Sequence, residues 1–418
     1  MTRLFAASLL STALCTPVLA AGPAEVLSHY ADIAAATYGD SLTAAKSLQA
    51  AVADLIAAPS DATLQAARAA WIAARAPYQQ TEAFRFANPV VDDWEGRVNS
   101  WPLDEGLIDY VAPGSAVNEE NDLATLNVIA TPKFTLSGAE VDATTITPAL
   151  ISGSLHEAGG IEANVASGYH AIEFMLWGQD LNGTGPGAGA RPFTDYVQGD
   201  GCTNGNCDRR AAYLQAATDL LVSDLEYIVA QWADDGAARA VVTTDPQTGL
   251  LAMLTGMGSL SYGELAGERM KLGLMLNDPE EEQDCFSDNT HNSHYFDGIG
   301  IRNVYTGSYT RMDGTTLTGP SLSELVAAAD PAVDLQLQAE LDASVAALMA
   351  VKTAAEGGLA YDQMLEAGNV EGEALIMAAV DALVTQTASI ERAVTALGLS
   401  KADFEGSESL DNPDAIFR

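Results

Sequence analysis

Residues 24–58, AEVLSHYADIAAATYGDSLTAAKSLQAAVADLIAA, decide the fold. Apolar residues recur every three or four positions (Val26, Tyr30, Ile33, Ala34), which is the period of a helix with one buried face, and Pro59 ends the pattern. Ser60-Asp61 can cap a second helix running through Trp71, Tyr78 and Phe84 to about residue 87, with a kink expected at Pro77. The same Ala/Leu-rich spacing predicts helices over 157–178, 208–235, 246–277, 333–355 and 371–398. Alternating β-type runs are scarce, with only 241–244 and parts of 125–147 suggestive. The fold class is therefore all-α: two helical-bundle-like domains with long ordered loops. Residues 88–156 and 278–320 read as those loops. Their aromatic residues (Trp94, Trp101, Tyr110; Tyr295, Phe296, Tyr305, Tyr309) argue for order and for a role in function.

A faint internal echo points to a duplication. Tyr78-Gln-Gln-Thr-Glu82-Ala-Phe-Arg85 resembles Tyr262-Gly-Glu264-Leu-Ala-Gly-Glu268-Arg269, each on a long helix leading into a polar loop. A boundary near 240 fits, giving an N-terminal helical domain over 21–240 and a C-terminal one over 241–418.

The 418 residues include 57 acidic and only 19 basic side chains, a net charge of −38. Such a surface repels phosphate backbones and anionic lipid, which excludes nucleic acid as a partner. It suits solvation in a salty medium, or the concentration of cations. With 48% hydrophobic and 18% charged residues the chain is not disordered. Residues 1–20 read as a secretory signal peptide: Arg3, a short apolar stretch, then Val18-Leu19-Ala20 before the cleavage point. No later run approaches the roughly 18 apolar residues of a membrane span. The expected product is soluble and exported to the periplasm, with association at the outer membrane left open. Cleavage leaves Cys202, Cys207 and Cys285. In an oxidising compartment Cys202-Thr-Asn-Gly-Asn-Cys207 reads as a small disulfide loop in preference to half a zinc site.

The sharpest chemical signal is Gly168-Tyr-His170-Ala-Ile-Glu173. Positions i and i+3 share a helix face, so His170 and Glu173 can converge on one divalent cation, iron or zinc. They can equally be a simple helix-surface pair. Zinc-peptidase templates fail here, because both HExxH and HxxEH need a histidine where Phe174 stands. Only His29, His156, His291 and His294 remain to complete a site. His29 reads as structural, and His156 as a cap or loop contact. Asp284, Asp288, His291 and His294 form a second candidate cation cluster beside the acidic run 280–284, or else a solvated acidic loop. Glu82, Arg85 and Asp104 are charges among aromatic residues, and buried charges are usually paired or coordinating. The run 182–190 is a Gly-rich connector, since it lacks the Gly-Lys-Ser/Thr ending of a phosphate loop.

Residues 168–178 resemble the GxHxxE signature of the imelysin family. Arg191-Pro-Phe-Thr-Asp-Tyr196 and Arg209-Arg-Ala-Ala-Tyr-Leu214 resemble its continuation. Trp71, Arg75, Tyr78, Glu82-Ala-Phe-Arg85 and Trp101-Pro-Leu-Asp104 resemble its first block. Residues 280–309 look most like the iron-regulated protein A branch. The resemblance implies two helical domains with a site where they meet, export, and a tie to iron uptake or response. It implies His170, Glu173 and Glu82 as metal residues, and Arg85, Trp101 and Asp104 shaping the pocket. A metal-binding protein of iron acquisition, partnered by other iron-uptake proteins of the envelope, is the leading expectation. The alternatives are a zinc-type metallopeptidase with Glu173 as general base, and a non-catalytic periplasmic module that binds a protein, haem or peptide.

Overall fold

The computed structural model describes residues 21–114 and 121–417. The expected leader lies outside the described residues. Helix α1 (Pro23–Ala57) opens with proline, whose missing N–H costs nothing there, and Glu25 reaches back to the Gly22 N–H at 2.7 Å. In α2 (Asp61–Gln79) the Thr63 N–H donates to the Ser60 hydroxyl, the cap expected from sequence. This helix stops at Gln79, short of residue 87. The chain then makes a 3₁₀ turn (Glu82–Phe84), which buries Glu82.

Next come α3 (Pro89–Asn99), the hairpin β1 (Lys133–Leu136) and β2 (Ala139–Asp142), α4 (Gly168–Trp177), α5 (Cys207–Gln231) and α6 (Ala237–Thr243). Residues 241–244, read as β-like, are therefore mostly helical, because their valines pack α6 against the bundle. The helix expected over 157–178 begins only at Gly168. Left-handed backbone at Glu157, Gly159 and Gly160 turns the preceding chain away from helix. Cys202 and Cys207 are joined in a disulfide.

One rod then runs as α7 (Pro246–Ser259), continues as a π-helix (Leu260–Lys271) and ends as α8 (Leu272–Leu276). The wider π turn brings residues five apart together, and Glu264 accepts from Arg269 at 3.2 Å. Helix α9 (Thr290–Thr306) lies where sequence predicted a loop. Its polar, Gly-rich composition hides it, and Gly300 is needed for close packing: a Cβ there would sit 2.7 Å from the Gln80 carbonyl. The hairpin β3 (Ser308–Thr310) and β4 (Thr316–Thr318), α10 (Leu322–Ala329), α11 (Pro331–Glu356), α12 (Tyr361–Leu365) and α13 (Val370–Ala396) follow.

Helices α1, α2, α4 and α5 pack together as one group; the π segment, α9, α11 and α13 form a second. Helix α2 meets α9 between them, and the larger hydrophobic core runs through both groups, from Val26 to Ile390. A smaller core around Leu265, Leu348 and Leu383 belongs to the second group. By length and composition α13 is apolar enough to cross a bilayer, which the sequence reading did not foresee. Its Ile376, Val380, Leu383 and Ile390 are buried, and the helix packs on α11 and the π segment.

Asp224 on α5 is 9% exposed, and burial raises its carboxyl to about 6 against a partly opposing Arg97. A raised folded value means its share of stability is present below about pH 4 and is lost as pH rises through 6. Asp224→Asn is thus expected to stabilise the fold by about 1–2 kcal/mol at pH 8, discounted for partial solvent access, and by nothing at pH 4. Urea titrations at the two pH values check this; equal effects at both would refute it.

Candidate metal centre

Helix α4 is apolar almost throughout, and all ten of its residues are buried. Its His170 and Glu173 must therefore find partners inside the protein. The His170 Nδ1 lies 3.1 Å from Glu173 Oε2, across one helical turn, and 3.8 Å from Oδ1 of Asp284. Among the described residues these three form the group whose ligand atoms all lie within 4.8 Å of one another, and all three are buried. His170 and Glu173 come from the first helix group. Asp284 comes from the segment leading into α9 of the second, so the centre sits where the two groups meet.

The two carboxylates are held from behind. Both the N–H and the hydroxyl of Ser287 donate to Glu173 Oε1, at 2.9 and 2.6 Å. Asp284 Oδ1 accepts from Arg75 at 2.8 Å, and Oδ2 accepts from Asn289 at 2.9 Å and from the Ser293 hydroxyl. Arg75 also donates to Asn99 at 2.6 Å, and its guanidinium lies 5.1 Å from the centre of the Tyr169 ring.

Burial and the nearby Arg75 lower His170 to about 3, so the imidazole is neutral. Burial, with Asp284 alongside, pushes the Glu173 carboxyl well above the carboxylate range. Burial would raise Asp284 too, but Arg75 and its hydrogen bonds outweigh it and hold the group below its ordinary value. His170 Nε2 is buried with no partner. One imidazole and two carboxylates in a dry pocket fit a divalent cation of the iron or zinc class, whose charge would let Glu173 ionise.

A cleft of about 330 Å³ opens beside the centre, lined by Arg85, Glu95, Asn99, Trp101, Glu264 and Arg269 among others. Asn99 links it to Arg75 and hence to Asp284. The two echo segments meet here and exchange partners: Arg85 donates to Glu264 at 2.5 Å, and Arg269 donates to Glu82 at 2.7 Å. Glu82 thus answers an arginine instead of standing among the His170 ligand atoms. Arg85 and Trp101 line the cleft, whereas Asp104 is bonded to Asn121.

The second sequence cluster is divided. Asp284 joins His170. His294 is 0% exposed, with both ring nitrogens unpartnered and its ring 5.1 Å from that of Tyr361. His291 contacts Asn292, and burial with Lys352 nearby lowers it to about 4. Asp288 is half-buried, raised to about 7 by burial and Asp362. His29 bonds the Gly307 carbonyl at 3.0 Å, and His156 accepts from the Ala166 N–H at 3.3 Å.

The sequence model described as Imelysin matches residues 34–390. The chain belongs to the imelysin family. Iron-regulated protein A of Synechococcus elongatus is 23% identical to this imelysin over 352 residues, 81% of this chain and 76% of that protein. A Parabacteroides distasonis structure described as an iron-regulated protein A precursor superposes with a TM-score of 0.64 at 19% identity, covering 91% of this chain and 97% of its own. An imelysin-like protein from Psychrobacter arcticum gives a TM-score of 0.56 at 15% identity, covering 90% and 96%. At such identity these two structures establish the fold alone.

In this imelysin, sequence reasoning missed Arg75, Asn99, Ser287 and Arg269 as parts of the site. Arg75 was findable: it lies one turn after Trp71 and three residues before Tyr78, a charge on an otherwise apolar helix face. Ser287 carries no such signal, because its role depends on how a loop folds back onto α4.

Proposed function

We propose that this imelysin binds a divalent cation, iron in preference, through His170, Glu173 and Asp284, and acts in iron acquisition or iron response in the cell envelope. The observation that carries this reading is the buried convergence of a neutral imidazole with two carboxylates, each fixed by its own hydrogen bonds. The names of the relatives favour iron over zinc. The leader-like residues 1–20 and the Cys202–Cys207 disulfide support an exported, oxidising location. Bound there, the cation supplies a Lewis-acidic and, as iron, a redox-active charge. The surrounding residues hold it, keep water out and balance its charge.

The peptidase reading gains nothing from this arrangement. Phe174, at the place of a zincin histidine, packs on Phe286, and the third ligand is an aspartate. Anaerobic calorimetry with Fe²⁺, and separately with Zn²⁺, tests the site on the full chain and on a His170→Ala/Glu173→Ala variant. Losing an outer-sphere partner alone costs about 10–100-fold in affinity, so removing two ligands is expected to weaken binding more than ~100-fold. Equal isotherms for the two proteins would refute the assignment.

A further inference from the structure

Close to the His170 centre lies a small cavity that none of these pairings explains. Glu105, Asp180, Glu280, Glu282, Cys285 and Phe286 line it, with Gly183 and Pro279, and no basic side chain is among them. Its free volume is about 10 Å³, room for one water-sized occupant. Four acidic residues therefore line a single-atom space. Glu282 is only 2% exposed, and its Oε2 is buried without a partner. Asp362 is 1% exposed, with both carboxylate oxygens unpartnered.

Like charges gathered without a counter-charge are costly in a protein interior, and an unbonded carboxylate oxygen adds its own desolvation penalty. Burial, with Glu105, Asp278 and Asp180, pushes Glu280 up to about 7. Among the described residues these acids do not bring three ligand atoms within 4.8 Å of one another, as the His170 set does.

We propose that this cavity is a second cation site, built from the carboxylates of Glu105, Asp180, Glu280 and Glu282 and taking a hard divalent ion of the calcium class. All its charged donors are oxygens, and carboxylates that bind in one- or two-oxygen mode can satisfy the six to eight contacts such an ion takes. The His170 centre, with its imidazole, selects softer ions. The ion would also fasten the segment 279–287, which carries Asp284 and Ser287, without depending on occupancy of the first site.

The test uses full-length protein stripped with chelator, in the His170→Ala/Glu173→Ala background, so failure of the first site cannot be mistaken for failure of the second. Calcium chloride is expected to bind at about one equivalent in calorimetry and to raise the melting temperature. Adding Glu280→Gln/Glu282→Gln is expected to weaken calcium binding at least tenfold and to abolish the thermal shift. A parallel titration of wild-type protein saturated with Zn²⁺ serves if the first-site variant misfolds; calcium should still bind there. No calcium uptake by either protein, or uptake unchanged by Glu280→Gln/Glu282→Gln, would overturn the proposal.

Discussion

Replacing Gly168 by alanine is expected to destabilise the fold by roughly 2–5 kcal/mol and to abolish tight cation binding in the same step. Gly168 opens α4 with φ +82°, a conformation that costs a side-chain-bearing residue about 1–2 kcal/mol. An added Cβ would also lie 2.4 Å from the Val98 carbonyl oxygen and 2.9 Å from its Cα, both rigid backbone at the end of α3. Relieving that overlap means moving α4 off α3, and overpacking of this kind costs about 1–3 kcal/mol more. Because His170 and Glu173 ride on the first turns of α4, the shift misaligns both proposed ligands. The glycine of GxHxxE is thus a docking requirement. Urea denaturation and Fe²⁺ titration of Gly168→Ala check the two effects together. A variant within 0.5 kcal/mol of wild type, with unchanged affinity, would refute the account.

Arg269→Met is expected to be comparably severe. Arg269 is 2% exposed and serves Glu82 at 2.7 Å, Glu264 at 3.2 Å and Asp297 at 3.2 Å. Methionine fills much of the volume but leaves the carboxylates of Glu82 and Asp297 buried without their cation. Breaking a buried ion pair from one side costs about 3–5 kcal/mol. Removing Glu82's charge as well should recover part of that loss, so Glu82→Gln/Arg269→Met is expected to fall short of the sum of the single changes. A strictly additive double-mutant cycle in urea would show that the two groups do not interact.

The long helices were legible because composition and period agree in them. Residues 24–58 correspond to Pro23–Ala57, and 208–235, 333–355 and 371–398 to Cys207–Gln231, Pro331–Glu356 and Val370–Ala396. Helix α9 was not legible. Residues 290–306 hold glycines, histidines and asparagines that are poor helix formers, and only packing against α2 and α11 makes them helical. His170 and Glu173 could be seen because they lie three apart on one turn. The pairing of Asp284 with them spans a hundred residues and depends on how two helix groups dock, which no local pattern encodes. Glu82 was read as a ligand for a sound reason, a charge among aromatics. What settled its partner was Arg269, brought there by a π turn that periodicity cannot reveal.

The split origin of the His170 centre has a consequence for how the chain folds. His170, Glu173 and Asp284 meet only after a closure between residues 173 and 284, and such long-range steps come slowly. Before that closure, the proposed centre would offer a cation only the two donors of α4. With the proposed cation bound there, ion uptake followed during refolding would mark the docking of one helix group on the other.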